Sequence, residues 1–198
     1  GDVSGSELVD RLREDHPMQT MVLKRGYDVP EVAYPFEDPT SRYGRSDPIP
    51  WTCAIAVARL SDEPDAVFDE LLEVAGRQPD QPLARHYRAL LDWLTQRTGH
   101  AFWIEKSGTS LEYTPELKAC FPDARFVYLY RDAYETALSM REYDVLRLAV
   151  PVMNGLLGEV EYSHAGLLEF ERRNGDAIDR TLASRPPIEL FGAYWNGQ

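Results

Sequence analysis

Cysteine is scarce in this chain: Cys53 and Cys120 are the only two among 198 residues. Two thiols and four scattered histidines (His16, His86, His100 and His164) show no ligand spacing, so no metal is expected. Each cysteine lies in an apolar setting, and free buried thiols in a reducing cytosol are expected rather than a disulfide. Signal-peptide patterning, membrane-spanning apolar runs, internal repeats and low-complexity tracts are missing as well. Positive charge is short: Lys and Arg number 21 against 33 Asp and Glu, giving a formal net charge of −12. That balance argues against nucleic acid or an anionic membrane as a partner, because counterion release needs a cationic face. It leaves room for an anionic cofactor held in a locally positive pocket. The phosphate loop G-x-x-x-x-G-K-[ST] occurs nowhere, which removes the main support for a P-loop kinase.

What is present suits one globular domain over residues 1–198, with 43% hydrophobic and 27% charged residues. The most informative stretch is Ala101–Tyr143. Ala101–Ile104 is an apolar burst of strand type, closed by Glu105-Lys106-Ser107-Gly108. Tyr113–Phe121 reads as a helix, with Pro115 tolerated in its first turn. Pro122-Asp123 is a turn, and Arg125–Tyr130 (RFVYLY) is β-branched and aromatic, hence a second strand. Arg131-Asp132 ends it, and Ala133–Tyr143 is rich in helix formers. Strand, helix, strand, helix at this spacing predicts a βαβ unit with parallel strands and a right-handed connection. Ligands of such sheets sit at the carboxyl ends of the strands. Lys106 with Ser107, and Arg131, fall at those ends, where cations, a hydroxyl and a helix N-terminus suit a phosphorylated or sulfated ligand. The alternative is two solvated charges ending two strands.

These residues resemble the core of the sulfotransferases that use 3′-phosphoadenosine-5′-phosphosulfate (PAPS). The resemblance rests on Trp103-Ile104-Glu105-Lys106-Ser107, on Phe121-Pro122-Asp123-Ala124-Arg125-Phe126, on Arg131-Asp132, and on Ser139 eight residues after the arginine. It implies a three-layer α/β fold with a central parallel sheet, P-loop-NTPase-like. It implies that Arg131 and Ser139 bind the 3′-phosphate of the nucleotide, a role suited to a bidentate guanidinium and a hydroxyl donor. Lys106 matches a lysine expected near the transferred sulfuryl group. Ser107 adds a hydrogen bond there or caps the next helix.

Ser4-Gly5-Ser6, ahead of the amphipathic pattern of Leu8, Val9 and Leu12, is similar to the tail of the loop that cradles the 5′-phosphosulfate in this family. Asp15-His16-Pro17 matches the end of the helix that follows it. The strand expected before this loop is absent from the pattern, Val3 replaces a basic residue, and Glu7 stands where a hydroxyl is usual. Either the true N-terminus is missing or the loop is degenerate, and the first is favoured. The bland reading is that Ser4 or Ser6 caps a helix. The family's C-terminal strand and a further nucleotide-contacting segment are likewise expected to be missing.

A general base is not placed by the pattern, because Val22-Leu23-Lys24 occupies the family's usual position. Glu31 is the first carboxylate with room to approach the site, and Asp28 the next. Gln19–Leu23 reads as a short strand. Residues 24–50 are irregular and rich in Pro, Tyr, Arg and Asp; Tyr27, Tyr34, Phe36, Arg42 and Tyr43 either line an acceptor wall or pack the loop down. Trp51–Leu60 reads as a buried apolar helix, with a strand as the alternative; Asp65–Ala75, the repeat of Leu83, Tyr87, Leu90, Leu91 and Leu94 running up to Gly99, and Ser163–Leu182 read as helices. Asp144–Leu157 is apolar, either core or pocket lining. His86 and His100 look like surface histidines, and Arg85, Arg88 and Arg97 like solvent-facing charges.

The function implied is in-line transfer of a sulfuryl group from PAPS, leaving PAP, to a hydroxyl or amine of a small-molecule, lipid or carbohydrate acceptor. Lys106 would offset developing charge and Glu31 would take the acceptor proton. A non-catalytic relative that binds PAP or a partner through the same cleft is the competing expectation. The acceptor's identity and the oligomeric state stay open.

Overall fold

Helices dominate the computed structural model, which describes residues 1–106 and 109–196. Ten are present among the described residues: α1 (Gly5–Leu12), α2 (Pro17–Leu23), α3 (Trp51–Ile55), α4 (Pro64–Gly76), α5 (Leu83–Arg97), α6 (Thr114–Cys120), α7 (Ala133–Glu142), α8 (Asp144–Met153), α9 (His164–Ala183) and α10 (Ile188–Asn196). The one sheet among those residues has two short strands, β1 (Asp2–Val3) and β2 (Gln81–Pro82). They pair antiparallel with Asp2 opposite Pro82 and Val3 opposite Gln81.

Three apolar clusters hold the helices together. The first joins α1, α3, α4 and α5 through Leu8, Leu12, Cys53, Val67, Phe68, Leu71 and Leu90, with Tyr34 and Ile49 from the irregular segment. Val67, Phe68, Leu71 and Ala75 recur at helical spacing, so α4 offers one continuous apolar stripe. Pro64 opens that helix at a position where a missing N–H costs nothing. The second cluster joins α2, α8 and α9 through Met21, Val22, Leu148, Phe170 and Ile178. Arg25 clamps its edge, donating to Glu171 at 2.8 Å, Asp179 at 2.5 Å and the Met21 carbonyl at 2.7 Å. The third joins α7, α8 and α10 around Met140, Val150 and Phe191.

Several expectations change here. Gln19–Leu23 belongs to helix α2, not to a strand, because Pro17 opens a turn in which Met18, Met21, Val22 and Leu23 are all buried. Pro17 therefore starts α2 rather than stopping α1, which ends at Leu12. A strand does precede Ser4, although only two residues long. His86 is a core residue: it is fully buried, its Nε2 lies 2.7 Å from the Val3 carbonyl oxygen, and its Nδ1 faces Gln81 Nε2 at 3.3 Å. It thus ties β1 to the start of α5. Cys53 is buried as expected, whereas Cys120 is exposed at the end of α6. Val145, Leu148, Val150 and Val152 are core.

The expected central parallel sheet is not formed by the described residues. Ala101–Ile104 and Arg125–Tyr130 run without a ladder partner there; Phe102, Ile104 and the side chains of Phe126–Tyr130 are exposed, and only Trp103 is half-buried. A lone extended run leaves its main-chain groups to water, since a strand, unlike a helix, is satisfied only by a neighbour.

Candidate active site

The Ser4-Gly5-Ser6 turn is built as a helix start. The Ser4 hydroxyl accepts the Glu7 N–H at 3.2 Å and lies 3.0 Å from the Ser6 hydroxyl. Glu7 stands in the first turn, where its charge complements the helix dipole, and pairs with Arg11 at 2.9 Å. Gly5 is buried against the end of α4. A Cβ there would come within 2.7–2.8 Å of the carbonyl oxygens of Ala75, Gly76 and Gln78. Only glycine permits this approach of α1 to α4. The capping reading of Ser4 is thus realised, while the outward hydroxyl of Ser6 stays exposed.

Lys106 follows a segment anchored at Trp103. The Trp103 indole donates to Asp92 of α5 at 3.0 Å and packs edge-on against Phe121, over which Arg88 stacks at 5.2 Å. Glu105 accepts a long hydrogen bond from Ser110 at 3.3 Å. Lys106 itself is exposed. Ser107 lies outside the described residues.

Asp132 caps α7 by accepting the Glu135 N–H at 3.0 Å, which leaves Arg131 immediately before the helix. Arg131 is exposed and only loosely paired with Glu135, at 3.6 Å. Ser139 sits two turns on, also exposed. Tyr143 follows one turn later on the same side as Ser139, and its hydroxyl donates a short hydrogen bond to the Glu31 carboxylate. Burial, reinforced by that carboxylate, pushes the Tyr143 phenol well above its ordinary range, so it stays a proton donor. Glu31 is held at the junction of α7 and α8, and Arg59 fixes its backbone by donating to the carbonyls of Pro30 at 3.0 Å and Glu31 at 2.9 Å.

The structure therefore brings Glu31 to the helix that carries Ser139, with Arg131 at its other end. It does not gather every expected residue: Ser4-Gly5-Ser6 belongs to the first cluster with α4, and α7 belongs to the third. The five expected wall residues divide. Tyr34 is buried, donates to Asp65 and accepts the Arg42 N–H, both at 2.9 Å. Phe36 and Tyr43 stack edge-on against it, and Arg42 forks onto Asp69 at 2.6 and 2.9 Å. These four pack the loop down, and Tyr27 packs against the second cluster. Tyr143 and Arg59 escaped the sequence reading. Tyr143 sits four residues after Ser139, a spacing that a search for partners could have used; Arg59 carries no such signal.

No group of three or more His, Cys, Asp or Glu side chains among the described residues could hold a metal ion. Among them, no helix is long and apolar enough to cross a membrane.

Exposed Lys106, exposed Arg131 ahead of α7 and the Ser4-Gly5-Ser6 turn that opens α1 are groups able to meet anions. The model of the sulfotransferase family matches residues 4–160, and the chain belongs to that family. The matched span contains Ser4, Glu31, Lys106, Arg131, Ser139 and Tyr143. No curated protein and no solved structure matches the chain. Membership makes it a transferase of sulfuryl groups to an acceptor.

Proposed function

We propose that the donor is PAPS and that the chain moves its sulfuryl group in line to a hydroxyl or amine of a small-molecule, lipid or carbohydrate acceptor. The observation that carries this reading is the α7 arrangement. Exposed Arg131 stands just ahead of α7, exposed Ser139 lies on it, and Tyr143 at its end holds the Glu31 carboxylate. Arg131 and Ser139 take the 3′-phosphate, by a bidentate guanidinium and one hydroxyl donor. Ser4, Gly5 and Ser6 contribute to the 5′-phosphosulfate end. Glu31 takes the acceptor proton while Tyr143 orients it. Lys106 stabilises the charge that builds on the sulfuryl oxygens and the leaving phosphate. The protein works in the cytoplasm, where PAPS is the reagent and PAP the product.

A second reading has specific support. Glu7 in the first turn of α1 places a carboxylate beside the phosphosulfate end, which opposes an anionic donor. A non-catalytic protein that binds PAP, or a partner, would tolerate that charge.

Calorimetric titration of PAP into the protein and into Arg131→Ala, with ATP as the control, separates these readings. Micromolar PAP binding, weakened at least about tenfold by the substitution and not reproduced by ATP, is expected. A folded chain that ignores PAP overturns the first reading and leaves of the second only a scaffold that binds a partner. PAP binding without sulfuryl transfer to any acceptor hydroxyl leaves the second.

A further inference from the structure

A cleft of about 210 Å³ opens between the turn after α3, the N-terminal end of α4 and the C-terminal end of α5. Its polar lining is Arg59, Ser61, Arg97, Thr98 and His100, with Leu60 and Val67 supplying apolar wall. We propose that this cleft binds the oxyanion group (carboxylate, phosphate or sulfate) of a small polar ligand, at a place separate from Arg131 and Ser139.

The argument is one of donors left over. Arg59 spends both hydrogens of Nη2 on the carbonyls of Pro30 and Glu31, which are neutral acceptors. Its charge is therefore not cancelled by those bonds, and Nε and Nη1 keep three N–H groups. Arg97 presents the second guanidinium. Glu70 engages its Nε at 2.8 Å and its Nη2 at 3.1 Å, which leaves Nη1 unspent on that carboxylate. Glu63 also acts on Arg97, so the uncompensated charge of the cleft is that of Arg59. One uncompensated cation beside a second guanidinium and an imidazole suits a single oxyanion group, not a polyphosphate. The hydroxyls of Ser61 and Thr98 serve their own backbone, the first accepting the Glu63 N–H at 3.0 Å and the second donating to the Leu94 carbonyl at 2.8 Å. Ser61 thus keeps its O–H to donate to a ligand oxygen, while Thr98, its proton spent, can only accept from a ligand hydroxyl. The volume admits a small acid or the head of a larger molecule, and Leu60 and Val67 give its carbon skeleton a place to lie.

Arg59 also gives the cleft a structural consequence. The guanidinium that would meet the ligand is the one that fixes the Pro30 and Glu31 carbonyls, and the Glu31 carboxylate is the acceptor of Tyr143. Occupancy of the cleft therefore restrains the loop that presents Glu31. The cleft does not depend on PAPS being the donor.

The test is a ¹H–¹⁵N NMR titration of the whole chain with inorganic phosphate at constant ionic strength, with chloride as the control. Saturable millimolar shifts are expected at the amides of residues 59–61 and 97–100. Arg59→Met and Arg97→Gln should each weaken binding, the first by about tenfold or more, and Arg59→Lys should fall between, keeping charge without the fork. Arg131→Ala should leave the affinity unchanged. The inference is overturned if those amides do not respond, or if the affinity ignores both Arg59→Met and Arg97→Gln. It is also overturned if binding is lost with Arg131→Ala, because phosphate would then be reporting the nucleotide site.

Discussion

The cluster around α4 and the run Arg125–Tyr130 are both rich in large apolar residues and are opposite in structure. Leu8 and Phe68 are 0% and 1% exposed, whereas Val127 and Leu129 are 80% and 79% exposed. The difference lies in how each element satisfies its backbone. A helix closes its hydrogen bonds internally and needs only one stripe buried, so α1, α4 and α5 complete one another by packing those stripes together. An extended run such as Arg125–Tyr130 is finished only when strands lie beside it, so its order is a property of the whole sheet. The contrast teaches that the helical part of this family's domain is specified locally, while the part bearing its most telling motif is specified cooperatively.

The largest expected effect tests that contrast. Phe68→Ala should cost about 3–5 kcal/mol in urea unfolding, because a large buried ring leaves a cavity under α1 and α5. Leu129→Ser should change stability by no more than about 0.5 kcal/mol if the run is solvated as it stands. A cost for Leu129→Ser comparable to that of Phe68→Ala would break the comparison. It would show Arg125–Tyr130 buried in solution, as a strand of the parallel sheet expected from the sequence would be.

Much of the helical layout was legible because it follows periodicity. The stripe of Val67, Phe68, Leu71 and Ala75 lies inside the helix read over Asp65–Ala75, and α4 extends it by one residue at each end. Family membership was legible for another reason: the Trp103–Ser107 and Phe121–Phe126 segments with Arg131 and Ser139 form a pattern over some forty residues, inside the matched span. The Gln19–Leu23 segment was misread because a short apolar run carries no period, and Pro17 decided for helix. His86 was misread because its chemistry drew attention away from its place. It stands three residues after Leu83 and four before Leu90, on the apolar stripe of α5, where a polar side chain must find buried partners. The tether from Tyr143 to Glu31 joins residues 112 apart and has no local signature.

The two cysteines sharpen the same comparison at smaller amplitude. Cys120 should react with a thiol reagent such as DTNB in the native protein, and Cys53 only on unfolding. Burial, with some help from the Asp65 carboxylate, pushes the Cys53 thiol up to about 12. A folded-state pKa raised in this way favours the neutral thiol. The stability it contributes is complete below the ordinary value of 9.0 and is lost as pH rises toward about 12, where the unfolded chain already holds a thiolate. Unfolding midpoints should therefore fall between those pH values, and Cys53→Ala should flatten the fall. Equal reaction of both thiols in the native state would mean that the α3–α4 core opens as readily as the surface of α6.

The smallest effect belongs to the clasp between the irregular segment and α4. Arg42 grips Asp69 with two nitrogens while its own N–H reaches the Tyr34 hydroxyl, so one residue closes the loop over the first cluster from both its ends. Asp69 is consequently held below its ordinary pKa of 3.8, with the Arg42 hydrogen bond as the main cause. A depressed carboxylate stabilises the fold above that value and ceases to do so as pH falls through the folded-state pKa. Both side chains are about half exposed, at 44% and 53%, so water and salt screen the pair. Asp69→Asn should therefore cost about 1 kcal/mol or less at neutral pH, less still in 1 M salt, and nothing once Asp69 is protonated. A salt-independent cost several times larger would place this clasp with the buried core, and the irregular segment would then be part of the first cluster's folding unit rather than a cover fastened to it.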